Sequence, residues 1–183
     1  MIVLDNLLGN TFSELREDNF WVSEKQNDMG WFSWDMQESS SIHSFCSYVW
    51  SHVFPKYKKI ESKGYEHWSF EFKSGSECDS VGFHMDTDLD RWVDHEEEKR
   101  LISCGQAKTA DYGFIYYAHR DLCSGGYLEI QREGGELERI QPVPDRIVFF
   151  VPDAPHKVTK VTEGVRRSIV SNIWSDTPNK YTV

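Results

Sequence analysis

A layer of helices followed by an all-β core of two antiparallel sheets, the jelly-roll or cupin-like arrangement of the α+β class, is the architecture this sequence predicts. Three observations carry it. From about Tyr65 to Trp174 the chain is a succession of short runs rich in β-branched and aromatic residues. Clusters of Gly, Pro, Ser, Asn and Asp separate those runs. The stretch before them carries apolar residues at helical rather than alternating spacing.

Taken in order, the opening IVLDNLLGNTFSELRED reads as a short buried strand, a turn and a helix capped near Asn10 or Thr11. Thr11 and Glu14 stand at capping-box spacing. Residues 18–38 hold Trp31, Trp34 and several turn formers without a period, so no element is assigned there. Two roles suit that stretch, a piece of the core or a loop that covers substrate. Ile42, Phe45, Cys46, Val49 and Val53 then mark an amphipathic helix that Pro55 interrupts. Strands are expected in YEHWSFEF, VGFHMD, YGFIYYAH, GYLEIQ, ELERIQ, RIVFFVP, HKVTKV and RRSIVSNIW, with turns such as SGSECD, CSGG, REGG, VPD, PDAP and TEG between them. Residues 1–62 are thus expected to form a helical support layer, packed on one sheet of a jelly-roll core over 63–176, in one domain spanning 1–183. Strands arranged in this way enclose a pocket between the two sheets.

At 183 residues the chain can bury one sizeable core, and a second domain would be cramped. With 7 Trp, 8 Tyr and 11 Phe, burial offsets chain entropy and extended disorder is not expected. A net charge of −10 argues against nucleic acid and against an anionic membrane surface as partners, since both require Lys and Arg. Cys46, Cys78, Cys104 and Cys123 are widely spaced without a C-x-x-C pair, which excludes a zinc ribbon or a disulfide-dense scaffold. The N-terminus lacks the basic flank and apolar run of a signal peptide, and no stretch approaches a membrane span, so a soluble, cytoplasmic setting is expected.

The chemistry concentrates in GFHMDTDLD, residues 82–90. A calcium loop begun at Asp86 would place Asp86, Asp88, Asp90, Asp94 and Glu97 at ligand positions. Arg91 then stands where such a loop needs glycine, and the preceding VGFHM reads as strand rather than helix. Asp88, Asp90 and Asp94 are better read as an exposed acidic loop. Taken instead as H-x-D at a strand end, His84 and Asp86 point to one face and can reach one ion. A facial site of two His and one carboxylate, with positions left open, needs one more histidine. His156, which opens a strand after a Pro-rich turn, is the candidate.

Ten residues beyond His156 stands Arg166, followed by Ser168. If Arg166 faces inward, strand alternation turns Ser168, Val170, Asn172 and Trp174 inward too. A guanidinium on such a face is costly without an anion, and a dicarboxylic cosubstrate supplies one. His95 and His119 read as surface or supporting residues. His43, His52 and His67 read as packing or solvent-facing groups in or near the helical layer. Gly125-Gly126 reads as a hairpin turn that sets the strand carrying Leu128.

As a set, His84-x-Asp86, the distal His156 and Arg166-x-Ser168 resemble the signature of the iron(II)/2-oxoglutarate-dependent dioxygenases. GFIYYAHRDLCSGGYLEI and PDRIVFFVPDAPHKVTKVTEGVRRSI are similar to its prolyl 4-hydroxylase-like branch, and the resemblance spans residues 65–175. It implies a double-stranded β-helix with His84, Asp86 and His156 as Fe(II) ligands. It implies Arg166 on the distal carboxylate of 2-oxoglutarate, Tyr117 hydrogen-bonded to that carboxylate, Ser168 as a further donor and Leu128 flanking the pocket. O2 and the reductant ascorbate complete the implied cofactors. The implied reaction is hydroxylation rather than halogenation, because Asp86 retains the carboxylate. The implied substrate is a prolyl or other peptidyl residue, with a free amino acid or other small molecule as the alternative. A non-catalytic metal-binding cupin-like module would keep the barrel without needing Arg166 and Ser168. Two departures stand out: Ala118-His119 replace the family's Leu-Asn, and Arg167, expected to point outward, occupies a position commonly aromatic.

Overall fold

The structure, a computed structural model, describes residues 1–9, 11–23, 30–36, 40–77, 79–89 and 93–182. In chain order the elements run β1 (Ile2–Leu4), α1 (Asp18–Ser23), β2 (Gly30–Ser33), α2 (Ser41–Tyr48), β3 (Gly64–Lys73), β4 (Val81–His84), α3 (His95–Ser103) and β5 (Tyr112–Tyr117). There follow β6 (Ser124–Gly125), β7 (Leu128–Gln131), β8 (Leu137–Ile140), β9 (Ile147–Phe150), β10 (His156–Val158), β11 (Val161–Glu163) and β12 (Val165–Trp174). A major sheet orders them β1-β9-β5-β12-β3-β2, a minor sheet β4-β10-β7-β8, and β11 pairs with β6. All pairings are antiparallel. The two facing sheets form a double-stranded β-helix, as the strand-rich sequence predicts. No helix among the described residues is long and apolar enough to cross a membrane.

β12 organises the molecule because both of its faces are buried. Ile169 and Ile173 pack outward into the core shared with α2, whereas Val170 packs inward with Ile115, Leu128, Ile130 and Phe150. This alternation follows from the two-residue repeat of a strand. α2 forms where the spacing of Ile42, Phe45, Cys46 and Val49 predicts a helix. Ser40 caps α2 by accepting from the His43 amide, and the helix passes through a π-helical turn at Val49–Val53 into a 3-10 turn containing Pro55. Phe45 lies 4.8 Å from the Tyr116 ring, and Trp50 donates to Ser171 Oγ at 2.8 Å. Burying each such large apolar side chain contributes about 1.5–3 kcal/mol, which holds the layer against the sheet.

Several expectations change. The Thr11–Glu14 capping box does not form: the chain makes a 3-10 turn at Ser13–Arg16 behind Phe12, whose φ is 56°, with no side-chain cap. Phe12 packs on Phe45 and Tyr48, so tertiary contact sets the backbone here rather than the local cap. Asn10 lies outside the described residues. The stretch 18–38 contains α1 and β2, and β2 extends the major sheet beside β3. Trp31 and Phe32 are thus part of a sheet edge, while 24–29 and 37–39 lie outside the described residues. With β1 on the other edge, the stretch expected as a helical layer supplies two strands of the major sheet.

Arg167 does point away from the barrel interior, but not into water. It is buried, ion-paired to Glu71 and Asp18, and lies over the Trp21 ring. The acidic loop is also more ordered than expected. Asp88 is buried and accepts from the Lys108 amide, and Asp94 caps α3 by accepting from the Glu96 and Glu97 amides. Asp90 lies outside the described residues.

His67 belongs to β3 and is buried on its outer face. Phe32 stacks on it at 4.7 Å, and neither ring nitrogen has a hydrogen-bond partner. Burial, reinforced by His43, pushes its pKa down to about 4. The unfolded chain titrates near 6.5, so as pH falls below 6.5 it takes up a proton that the folded protein refuses. Stability is therefore full above pH 6.5 and is lost progressively toward pH 4, by on the order of 2–3 kcal/mol for this group. Urea melts at pH 7 and 4.5 are expected to show that loss, and His67→Phe to shrink it. An unchanged pH dependence in the variant would refute the assignment.

Candidate active site

The H-x-D pair sits where β4 ends. His84 is its last residue, and Asp86 lies two positions on, held by its amide on the Pro152 carbonyl and by its carbonyl on the Ala110 amide. β10 pairs with β4 so that His156 stands directly opposite His84, with ring centroids 4.4 Å apart. A carbonyl can only accept. The contacts from His84 Nδ1 to Gly82 O (2.8 Å) and from His156 Nδ1 to Ala154 O (3.0 Å) therefore place the protons on Nδ1. Both Nε2 atoms face Asp86: His84 Nε2 is 3.7 Å from Oδ1, and His156 Nε2 is 3.7 Å from Oδ2. Burial, opposed by the Asp86 charge, pushes the His156 pKa down to about 4, so the ring is neutral at pH 7.

The three ligand atoms lie within 4.8 Å of one another, and among the described residues this is the one group of His, Cys, Asp and Glu that could hold a metal ion. Asp86 Oδ2 is buried with no hydrogen-bond partner. A buried carboxylate oxygen without a partner, facing two imidazole Nε2 atoms, is suited to a cation lying among them, and this donor set suits a divalent transition metal. The calcium parse finds no such convergence. Asp88 holds a backbone amide, Asp94 caps a helix and Glu97 pairs with Arg100.

Support for this corner comes from α3, which the sequence reading did not foresee. Glu98 is buried and accepts from the amide of Met85, the residue between His84 and Asp86, at 2.9 Å. His95 Nδ1 lies 3.7 Å from the same carboxylate oxygen, a supporting place of the kind expected for it. Burial pushes the Glu98 pKa up, against the pull of the Met85 amide. Asp94 followed by three glutamates was the available signal, a capped helix with an acidic first turn.

Farther along β12, Arg166 is 1 % exposed and faces the barrel interior. Its Nη1 donates to Ser168 Oγ at 2.8 Å, while Nε and Nη2 are buried without partners. The guanidinium lies over the rings of Tyr117, 5.1 Å away, and Phe72, 5.7 Å away. Burial lowers its pKa, and the nearby Tyr117 opposes that shift. The Tyr117 hydroxyl is likewise buried with no aligned partner, and burial raises its pKa. Leu128 is fully buried in the inner cluster that contains Tyr117. Two nitrogens and a hydroxyl left unmatched in one apolar compartment suit a bound carboxylate.

Gly125-Gly126 is not a simple hairpin turn. Gly125 belongs to β6, which pairs with β11, and a Cβ there would meet the Lys160 carbonyl at 2.1 Å. Gly126, with φ +65°, passes over the Arg166 stem, where a Cβ would fall 2.8 Å from Cδ. The Ala118-His119 departure is also resolved. Ala118 packs in the outer core, and buried His119 lies edge-on to Tyr117 at 5.9 Å, between the carbonyls of Arg167 and Pro142. A surface groove of about 640 Å³, lined in part by Trp34, Phe54, Lys58 and Ile60, holds none of these groups.

Comparison with known proteins agrees with this geometry. The chain is similar in structure to a Pseudomonas putida prolyl-4-hydroxylase (14% identity, TM-score 0.63, 99% of this chain and 87% of that one). It is also similar to a Trichoplax adhaerens prolyl hydroxylase solved with a hypoxia inducible factor oxygen degradation domain peptide fragment (16%, 0.59, 100% and 86%). A third is the viral collagen prolyl hydroxylase of Paramecium Bursaria Chlorella virus-1 (13%, 0.60, 96% and 90%). At these identities the likeness is one of fold. No curated protein sequence matches the chain. The model of the 2OG-Fe(II) oxygenase superfamily matches residues 77–174, from before His84 to the end of β12. The chain therefore belongs to the 2OG-Fe(II) oxygenase superfamily, whose members use Fe(II), 2-oxoglutarate and O2.

Proposed function

We propose that this protein hydroxylates a C–H bond of a prolyl or other peptidyl residue, with Fe(II) held by His84, Asp86 and His156 and 2-oxoglutarate held by Arg166. The observation that carries this reading is the set of unmatched buried atoms on the barrel's inner face: Asp86 Oδ2, Tyr117 OH, and Arg166 Nε and Nη2. Each is costly as it stands, and together they match a cation and a carboxylate. When bound, the Fe(II) would activate O2 as the oxidant, one oxygen atom ending in the hydroxylated C–H bond and the other in succinate as 2-oxoglutarate loses CO2.

The chain's own part is positional. The Nδ1 hydrogen bonds of His84 to the Gly82 carbonyl and of His156 to the Ala154 carbonyl turn both Nε2 atoms toward Asp86. Asp86 supplies the charge and keeps its place through two backbone hydrogen bonds. Arg166 offers a fork of donors, Tyr117 and Ser168 offer hydroxyls beside it, and Leu128 and Phe72 exclude water. A peptidyl substrate is supported by the prolyl hydroxylases among the similar folds, one of them solved with a peptide.

The test is succinate release with Fe(II) and 2-oxoglutarate across libraries of proline-containing peptides and free amino acids, with mass spectrometry of each product. Succinate coupled to one added oxygen on a peptide is the expected result. Oxygen added only to free amino acids would move the substrate to the small-molecule class. No succinate under any condition would refute the dioxygenase reading itself.

A further inference from the structure

One more residue on the inner face is unmatched. Asn172 is fully buried on β12, and neither its Nδ2 nor its Oδ1 has a partner. Its neighbours in register are Glu66 on β3 and Gly113 on β5. Gly113 has no side chain to offer, and the Glu66 carboxylate is already engaged by Lys180, Tyr181 and Trp174. The space Asn172 occupies is kept open for it, since a Cβ on Gly113 would fall 2.5 Å from Oδ1.

The location separates Asn172 from the carboxylate pocket. It lies six residues from Arg166, about 20 Å along an extended strand. At its own end, the same Gly113 Cβ position borders Pro152 and Phe150. The Pro152 carbonyl holds the Asp86 amide, and the Phe150 ring lies 4.9 Å from that of His156. Asn172 therefore belongs to the compartment of the His-Asp-His cluster. The unmatched atoms at Asp86, Tyr117 and Arg166 are accounted for by metal and cosubstrate, and those of Asn172 are left over.

We infer that Asn172 is a specificity-determining residue that binds the backbone of a peptide substrate, donating from Nδ2 to the C=O and accepting at Oδ1 from the N–H that flank one substrate residue. The chemistry selects the class. A lone carboxylate would satisfy Nδ2 and leave Oδ1 bare, and a lone ammonium would do the reverse. A free amino acid offers both, but as two charges that a neutral carboxamide in a buried site does not offset. A residue within a peptide presents an uncharged N–H and C=O on one edge. The substrate is accordingly a peptide bond-bearing chain rather than a free amino acid, which deepens the proposed function and rests on it.

The test uses binding, with the protein loaded with Mn(II) and 2-oxoglutarate so that no turnover occurs. Terminally blocked proline-containing peptides and free amino acids are titrated against wild type and Asn172→Leu. Wild type is expected to bind at least one blocked peptide, and Asn172→Leu to bind it more weakly by on the order of tenfold or more. Mn(II) and 2-oxoglutarate affinities should stay unchanged, and the melting temperature should rise because an unmatched amide is removed. Asn172→Ala serves if the leucine variant fails to fold. Equal peptide affinity in the variant, a loss of 2-oxoglutarate affinity, or wild-type binding of free amino acids alone or of neither library overturns the inference. Substrate-free succinate release by wild type with Fe(II) tests the dioxygenase reading separately. If that release persists while the inference fails, the dioxygenase chemistry stands.

Discussion

Asp86→Ala is expected to abolish succinate release and to erase stabilisation by divalent metal. Asp86 is the sole carboxylate in the three-residue cluster, and it faces both Nε2 atoms at 3.7 Å. Without it, only the two imidazoles remain, and the charge that offsets dehydration of the cation is gone. A ligand that binds only the folded state stabilises it by about 2.7 kcal/mol at a hundredfold excess over its dissociation constant. Wild type titrated with Mn(II) should show a rise in melting temperature of that origin, and Asp86→Ala should show none. The variant's own fold should persist, because its backbone hydrogen bonds to Pro152 and Ala110 do not depend on the side chain. A Mn(II) shift that survives in Asp86→Ala would place the metal elsewhere.

Arg166→Met is expected to lose 2-oxoglutarate binding while the unliganded protein becomes more stable. Removing one partner of a buried ion pair ordinarily destabilises, because the other charge is stranded. Here no protein carboxylate is stranded: the guanidinium donates to Ser168 and lies beside the Tyr117 hydroxyl, and two of its nitrogens lack an aligned partner. Methionine fills similar length against Phe72 and Tyr117 without a charge to desolvate. A gain of roughly 1–3 kcal/mol in the apo protein is the consequence. The lost charge-assisted fork should weaken 2-oxoglutarate by about a hundredfold or more, and Mn(II) affinity should be spared. Arg166→Lys should recover only part of the affinity, since a point charge replaces a planar fork. An arginine that proved structural would show the opposite pattern, a lower melting temperature with cosubstrate affinity intact.

How far the site could be read along the chain depended on the range of the interactions concerned. His84 and Asp86 were legible as a pair because strand alternation alone turns residues i and i+2 to one face. The inward set of Arg166, Ser168 and Asn172 followed from the same rule. His156 lies 72 positions from His84, and its candidacy came from a strand start and a resemblance; what places the two rings opposite each other is the β4–β10 register. α3 and Glu98 escaped notice because the acidic run around Asp94 suits a solvated loop as well as a capped helix. The choice was made by burial of Glu98 against the Met85 amide.

The sequence by itself determined the alternation of the strands, the amphipathic helix α2 and the residue types that could serve a metal and an acidic cosubstrate. Those properties are local, set by backbone geometry and side-chain chemistry within a few residues. The tertiary structure alone decided which polar atoms lack partners. Arg167 and Arg166 are adjacent, yet one is neutralised by Glu71 and Asp18 and the other is left open toward the barrel interior. Whether a buried donor is satisfied depends on every strand and loop packed around it. That is why the unmatched amide of Asn172 could emerge only when Gly113, Glu66, Pro152 and Phe150 were brought to its side.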